Sequence, residues 1–330
     1  MVENKFEIER AIGGYFSLEL STVYNGCFHR EGIYLNSGRN ALEYILRSIP
    51  IIRHLYIPYY TCDVVLEPIN KLGISYSFYC INERLELADE IHLNKDEYLL
   101  VNNYFGIKDA YIRELSVQYG RQLIVDNAQA LYAKPLEGIK TIYSPRKFVG
   151  IPDGGIAYIE NGLDVSNMER DISYNRCSHL LKRLDLGAES GYNAFRENSS
   201  QLVNQPIKRM SNLTSHLLHC IDWNGIKEKR WNNFRQLHES LCDINQLYIP
   251  SMDSFSCPMV YPLYVSDVKM KENLIKNKIF VATYWPNVLE WIKGENIEYQ
   301  IANYILSLPI DQRYGKMEMK RIVKILFDNI

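Results

Sequence analysis

The chain has little that would tie it to a membrane, to nucleic acid or to a metal. No stretch of its 330 residues approaches the roughly 18 apolar residues of a membrane-spanning helix. The opening MVENKFEIER has neither a basic n-region nor an apolar h-region. A cytoplasmic protein without a membrane partner is the expectation. With 37 basic against 39 acidic residues the formal charge is -2, so no bulk field of either sign points to nucleic acid. The seven cysteines (Cys27, Cys62, Cys80, Cys177, Cys220, Cys242, Cys257) are odd in number and scattered, without a C-x-x-C pair. That speaks against zinc-ribbon or dithiol chemistry and predicts reduced, mostly buried thiols. H-E-x-x-H, P-loop and G-x-S-x-G motifs are missing. His216 and His219 lie near one helix face, but no carboxylate accompanies them at ligand spacing, so no metal is expected. Repeats and low-complexity tracts are also lacking.

What is present is an alternation of short apolar runs with helical stripes from about residue 34 to 160, the pattern of βαβ units around a mainly parallel sheet. The runs Leu55–Pro58, Ser75–Ile81, Tyr98–Val101, Leu123–Asp126, Thr141–Ser144 and Gly155–Ile159 read as strands. Ala41, Leu42, Ile45 and Leu46 form one helical stripe, and Cys62, Val65, Leu66 and Ile69 another. From about 164 to 245 the chain turns polar and helical, a segment suited to dimerisation. After it, two strand-like runs (Met259–Val265 and Ile279–Tyr284) and two helices (Val268–Asn277 and Met317–Phe327) predict a smaller α+β unit. The expected division is a large doubly wound α/β domain over 1–245 and a small C-terminal α+β domain over 246–330.

In open α/β sheets ligands bind at the carboxyl ends of the strands. Four segments there carry chemistry. Asn36-Ser37-Gly38-Arg39-Asn40 sets a glycine turn at a helix start, where free N–H groups and the helix dipole favour a phosphate. Pro58-Tyr59-Tyr60-Thr61 offers aromatic faces to a planar heterocycle. The apolar run Leu123–Val125 delivers Asp126 into Asn127-Ala128-Gln129-Ala130. Finally, Lys147 sits on an irregular loop ahead of Pro152-Asp153-Gly154-Gly155. Each alone has an ordinary structural use: a helix cap, core aromatics, a turn-capping carboxylate, a solvated lysine. In this order, the set supplies what pyridoxal 5'-phosphate requires.

On these segments the chain resembles the DegT/DnrJ/EryC1/StrS sugar aminotransferases, which have the PLP-dependent transferase fold type I. Ser37-Gly38-Arg39-Asn40-Ala41-Leu42 looks like the family's phosphate turn, implying Gly38 and Arg39 as cofactor contacts. Pro58–Thr61 is similar to the segment whose aromatic stacks on the pyridine ring, here Tyr60. Asp126–Ala130 matches D-x-A-Q-A, implying Asp126 at the ring nitrogen and Gln129 near the ring hydroxyl. Lys147 fits the lysine that carries the cofactor. Asn103-Tyr104-Phe105-Gly106 and Leu308-Pro309-Ile310-Asp311 also look familial. The sequence departs at Ile142, where the family has a phosphate-binding serine. Thr141 or Ser144 is left to replace it, with Ser144 taken here. Asn193, in Gly191-Tyr192-Asn193, is the match for an asparagine that reaches the partner subunit's site.

The resemblance implies a homodimer with shared active sites, glutamate as amino donor and a nucleotide-linked keto sugar as acceptor, in polysaccharide or glycosylated-metabolite biosynthesis. Relatives with histidine in place of the lysine dehydrate sugars, so Lys147 favours amino transfer. The alternative is a degenerate relative acting as a sensor or assembly partner. Arg183, Lys208, Arg209 and Arg230 in the helical segment could meet a nucleotide diphosphate, but solvated charge is the reading taken for them.

Overall fold

The structure is a computed structural model that describes residues 18–20 and 29–328; the opening MVENKFEIER and Cys27 lie outside them. Seven strands form the main sheet: β1 (Ile33–Leu35), β2 (His54–Pro58), β3 (Tyr76–Tyr79), β4 (Glu97–Asn102), β5 (Leu123–Asp126), β6 (Lys140–Tyr143) and β7 (Gly155–Tyr158). Their order is β1-β7-β6-β5-β4-β2-β3. The ladders joining β3, β2, β4, β5 and β6 are parallel, whereas β7 pairs antiparallel with both β6 and β1. The mainly parallel α/β sheet expected from the alternating pattern is therefore present. Strand β1, three residues long, was too short for its pattern to announce it.

The inner strands read as continuous apolar runs because both sheet faces are covered. Leu100, Ile124, Ile142 and Ala157 pack on one face with the helix α1 (Gly38–Ser48), whose Ala41, Leu42, Ile45 and Leu46 are buried. Leu99, Val101, Leu123 and Val125 point to the other face, beneath the helix α3 (Asp109–Tyr119). A short helix, α2 (Leu66–Lys71), links β2 to β3.

Residues 178–241 form four helices, α4 (Ser178–Leu186), α5 (Ala188–Gln201), α6 (Asn212–His219) and α7 (Trp223–Leu241). A two-stranded antiparallel sheet of β8 (Val260–Tyr264) and β9 (Ile305–Pro309) follows, with α8 (Val268–Lys276), α9 (Val288–Trp291), α10 (Ile297–Tyr304) and α11 (Lys316–Phe327) around it. Here the expectation for Ile279–Tyr284 is corrected. Burial does alternate over Ile279 to Ala282, yet only Ala282 bridges, to Ser307, and the true partner of β8 is β9. Alternation reports which side chains are buried, not which backbone takes the hydrogen bonds. One large apolar cluster runs from Tyr60, Phe105 and Phe148 at the main sheet through Phe234 of α7 to Tyr261 and Leu308 of the small sheet. Among the described residues, no helix is long and apolar enough to cross a membrane.

Candidate active site

A cleft of about 170 Å³, open at its mouth, lies at the carboxyl ends of β4, β5 and β6 and the start of α1. Gly38, Arg39, Asp126, Gln129, Ser144 and Lys147 all line it. The strands and helix start that deliver them are far apart in sequence and adjacent in the sheet.

At one end, the Oγ of Ser37 caps α1 by accepting from the Asn40 amide at 3.1 Å. The Gly38 and Arg39 amides belong to the first turn, which has no intrahelical acceptors. Two glycines seat this turn against the lysine loop. Gly154 has φ +111°, and a Cβ on Gly155 would stand 2.1 Å from the Ser37 carbonyl oxygen. Thus the Gly154-Gly155 pair is required by a positive φ and by a close backbone approach. Of the two hydroxyls near Ile142, that of Ser144 is at the cleft. The Ile142 side chain lines it too, whereas Thr141 points away and donates to the Ile139 carbonyl at 3.2 Å.

At the other end, the Asp126 carboxylate lines the cleft and accepts from the Ala128 amide at 2.7 Å. Burial pushes its pKa up, and the neighbouring Lys147 ammonium, then the Ala128 amide, pull it back down. Gln129 accepts from the Phe105 amide at 2.8 Å, which commits its oxygen and leaves Nε2 buried without a partner. Asn102 donates to the Tyr60 carbonyl and the Thr61 hydroxyl, leaving its own carbonyl oxygen without a partner. Both side chains line the cleft. Buried polar atoms without partners are costly, so a ligand with polar groups at its rim is the expected occupant.

Lys147 stands on a single helical turn, Pro145–Lys147, after β6. Its side chain is exposed at the mouth, with the ammonium 6.0 Å from the Trp285 ring centroid. The backbone behind it is pinned: the Phe148 carbonyl accepts from Gln312 at 2.9 Å and from Arg230 at 3.2 Å. Arg230 is itself buried, donates to the Met259 carbonyl and lies over the Phe148 ring. The reading of Arg230 as solvated charge is therefore corrected: it ties the lysine loop to the small sheet. Lys208 is half-buried and paired with the exposed Glu169.

One expected contact lies elsewhere. Tyr60 is fully buried and does not line the cleft; it packs behind Trp285 with ring centroids 5.0 Å apart. The aromatic at the cleft wall is Trp285, delivered from the C-terminal region, where no strand-end motif marks it. Asn193, read as a contact to a partner subunit's site, is exposed on α5 and lies outside this chain's own cleft. Sequence reasoning also missed Arg146 and Asn102. The first adjoins Lys147 and the second directly follows the expected strand Tyr98–Val101, so position was their only signal. His216 and His219 each bond a carbonyl of their own helix through Nδ1.

No family model matches the chain, and no curated protein matches it. Solved structures do match. A DegT DnrJ EryC1 StrS aminotransferase from Brucella abortus is 14% identical with a TM-score of 0.61, covering 90% of this chain and 85% of that one. The putative sugar aminotransferase Spr1654 from Streptococcus pneumoniae, in its PMP form, is 15% identical with a TM-score of 0.62, covering 89% and 86%. GDP-4-keto-6-deoxy-D-mannose-3-dehydratase of E. coli, with bound hydrated PLP, is 13% identical with a TM-score of 0.60, covering 89% and 87%. At such identities the likeness is one of architecture: the chain has the α/β fold that these aminotransferases and this dehydratase share.

Proposed function

We propose that the chain is a pyridoxal 5'-phosphate-dependent aminotransferase of the DegT/DnrJ/EryC1/StrS kind. The observation that carries the reading is one cleft joining Lys147, Asp126, a capped helix start and the partnerless buried atoms of Gln129 and Asn102. Bound there, the cofactor would supply an electron sink for the carbon that loses a proton. Lys147 would hold the group covalently and supply the amine that takes up and returns that proton. Asp126, as an anion, would favour the protonated ring. Gln129 Nε2 would be an open donor to the ring end, and Trp285, backed by Tyr60, would be the aromatic wall. Gly38 and Ser144 would lie towards the phosphate.

Glutamate as donor and a nucleotide-linked keto sugar as acceptor are carried over from the kinds of protein that share the fold. A lysine at position 147 favours amino transfer over sugar dehydration. A homodimer is supported by the apolar surface of the α4–α5 hairpin, where Leu181, Leu184, Leu186 and Tyr192 are exposed. Purified protein given the cofactor is expected to show a visible absorption band, abolished in Lys147→Ala and bleached by glutamate. A wild-type protein that stays colourless would sink the proposal. The glutamate-treated protein, offered a panel of nucleotide keto sugars, should regain the band with its acceptor.

A further inference from the structure

The phosphate end of the cleft holds more positive charge than the missing hydroxyl at Ile142 would have required. Arg146 lines the cleft beside Arg39, and each has an Nη1 atom that is buried without a hydrogen-bond partner. Arg39 is compensated on its outer side by Glu67, at 3.5 Å. Among the described residues Arg146 makes no ion pair: it lies over the Phe195 ring, centroid 5.7 Å away, and its Nη2 reaches the Ser199 hydroxyl of α5 at 3.5 Å. The carboxylate of Asp153, close enough to attract it, is already held by Arg176 at 2.5 Å and by the Thr214 hydroxyl. Burial, then the nearby Arg39 guanidinium, holds Arg146 below its ordinary pKa.

Two guanidinium groups that repel one another, each with a buried open donor and both beside a helix N-terminus, are stabilised by a multiply charged anion. We propose that Arg146 and Arg39 form a two-guanidinium clamp on the cofactor phosphate, so that charge takes over from the hydroxyl lost at Ile142. The clamp rests on the cofactor reading of the cleft. It differs from a hydroxyl cup in two ways. Planar guanidinium groups bind phosphate oxygens in pairs. Moreover, both arginines belong to the same chain as Lys147, so the clamp itself draws on no residue of a partner subunit. Phe195 and Ser199 act as positioning residues, fixing the Arg146 side chain over the cleft.

The test is calorimetric titration of the apoprotein with pyridoxal phosphate, unphosphorylated pyridoxal and inorganic phosphate, on wild type, Arg146→Met, Arg146→Lys and Arg39→Met. Arg146→Met should bind pyridoxal phosphate about 10- to 100-fold more weakly, the usual worth of a charge-assisted contact. It should bind pyridoxal within about threefold of wild type, since the ring end is untouched. Inorganic phosphate should bind wild-type apoprotein and not Arg146→Met, with Arg146→Lys between them. Melting of each apoprotein checks folding, and the lysine variant keeps the test open if the methionine variant unfolds. Arg146→Met binding pyridoxal phosphate as tightly as wild type overturns the clamp alone, as does an equal loss for pyridoxal. Wild-type protein that binds neither vitamer overturns the cofactor reading itself.

Discussion

Replacing Gly155 by alanine isolates the contact that joins the phosphate turn to the lysine loop. The added Cβ would sit 2.1 Å from the Ser37 carbonyl oxygen, 2.4 Å from its carbon and 2.7 Å from the Gly38 nitrogen. All three are backbone atoms, so no rotamer relieves them. An ordinary contact begins near 3.4 Å, and the α1 N-terminus must therefore retreat from β7 by roughly 1 Å or more. Overpacking of this kind costs about 1–3 kcal/mol, or a fall in melting temperature of about 2–6 °C for a chain of this size. The larger effect should fall on the site, because a displacement of about 1 Å in a binding frame can cost on the order of 100-fold. Gly73→Ala is the control: its φ is +64° but nothing lies within 4 Å, so it bears only the backbone cost of about 1 kcal/mol. Thermal denaturation with and without pyridoxal phosphate, together with a cofactor titration, reads both effects. Should Gly155→Ala match wild type in melting temperature and in cofactor affinity, the steric argument for this junction is wrong.

Asp126→Asn keeps the Ala128 hydrogen bond and removes the charge, so the cofactor should still bind while the glutamate half-reaction slows by about 10³-fold or more in stopped-flow absorbance. Trp285→Ala should weaken cofactor binding and leave Tyr60 facing the cleft, read as quenching or exposure in tyrosine fluorescence. Arg230→Met strands the Met259 carbonyl and loosens the Phe148 turn, which predicts a loss of about 2–4 kcal/mol by urea denaturation. His29, lowered to about 4 chiefly by burial, stays neutral in the fold while an unfolded histidine protonates near 6.5. Stability should then fall by about 3 kcal/mol as pH drops from 6.5 to 4, level off below that, and lose this slope in His29→Phe.

The strand ends of the main sheet were legible because buried parallel strands are short apolar runs, and the residue that ends such a run is the one placed at the ligand-binding edge. Asp126 ends β5 in this way, and Gln129 and Lys147, a few residues past the ends of β5 and β6, line the same cleft. The same logic overreached at Tyr60, which follows β2 yet is fully buried behind Trp285. Strand order told where the backbone emerges, but packing between the C-terminal region and the sheet decided which aromatic lines the cleft.

By itself, then, the sequence determined the α/β class, the order of chemical groups along the sheet edge and the absence of a hydroxyl at position 142. These are local properties, carried by periodicity and by the residue at each strand end. The tertiary structure alone decided that Ser144 rather than Thr141 faces the cleft, that Arg146 stands half-buried beside Arg39, and that Arg230 braces the lysine loop. Each of those outcomes depends on residues distant in sequence meeting across packed elements, where burial and pairing change what a charge or a hydroxyl can do.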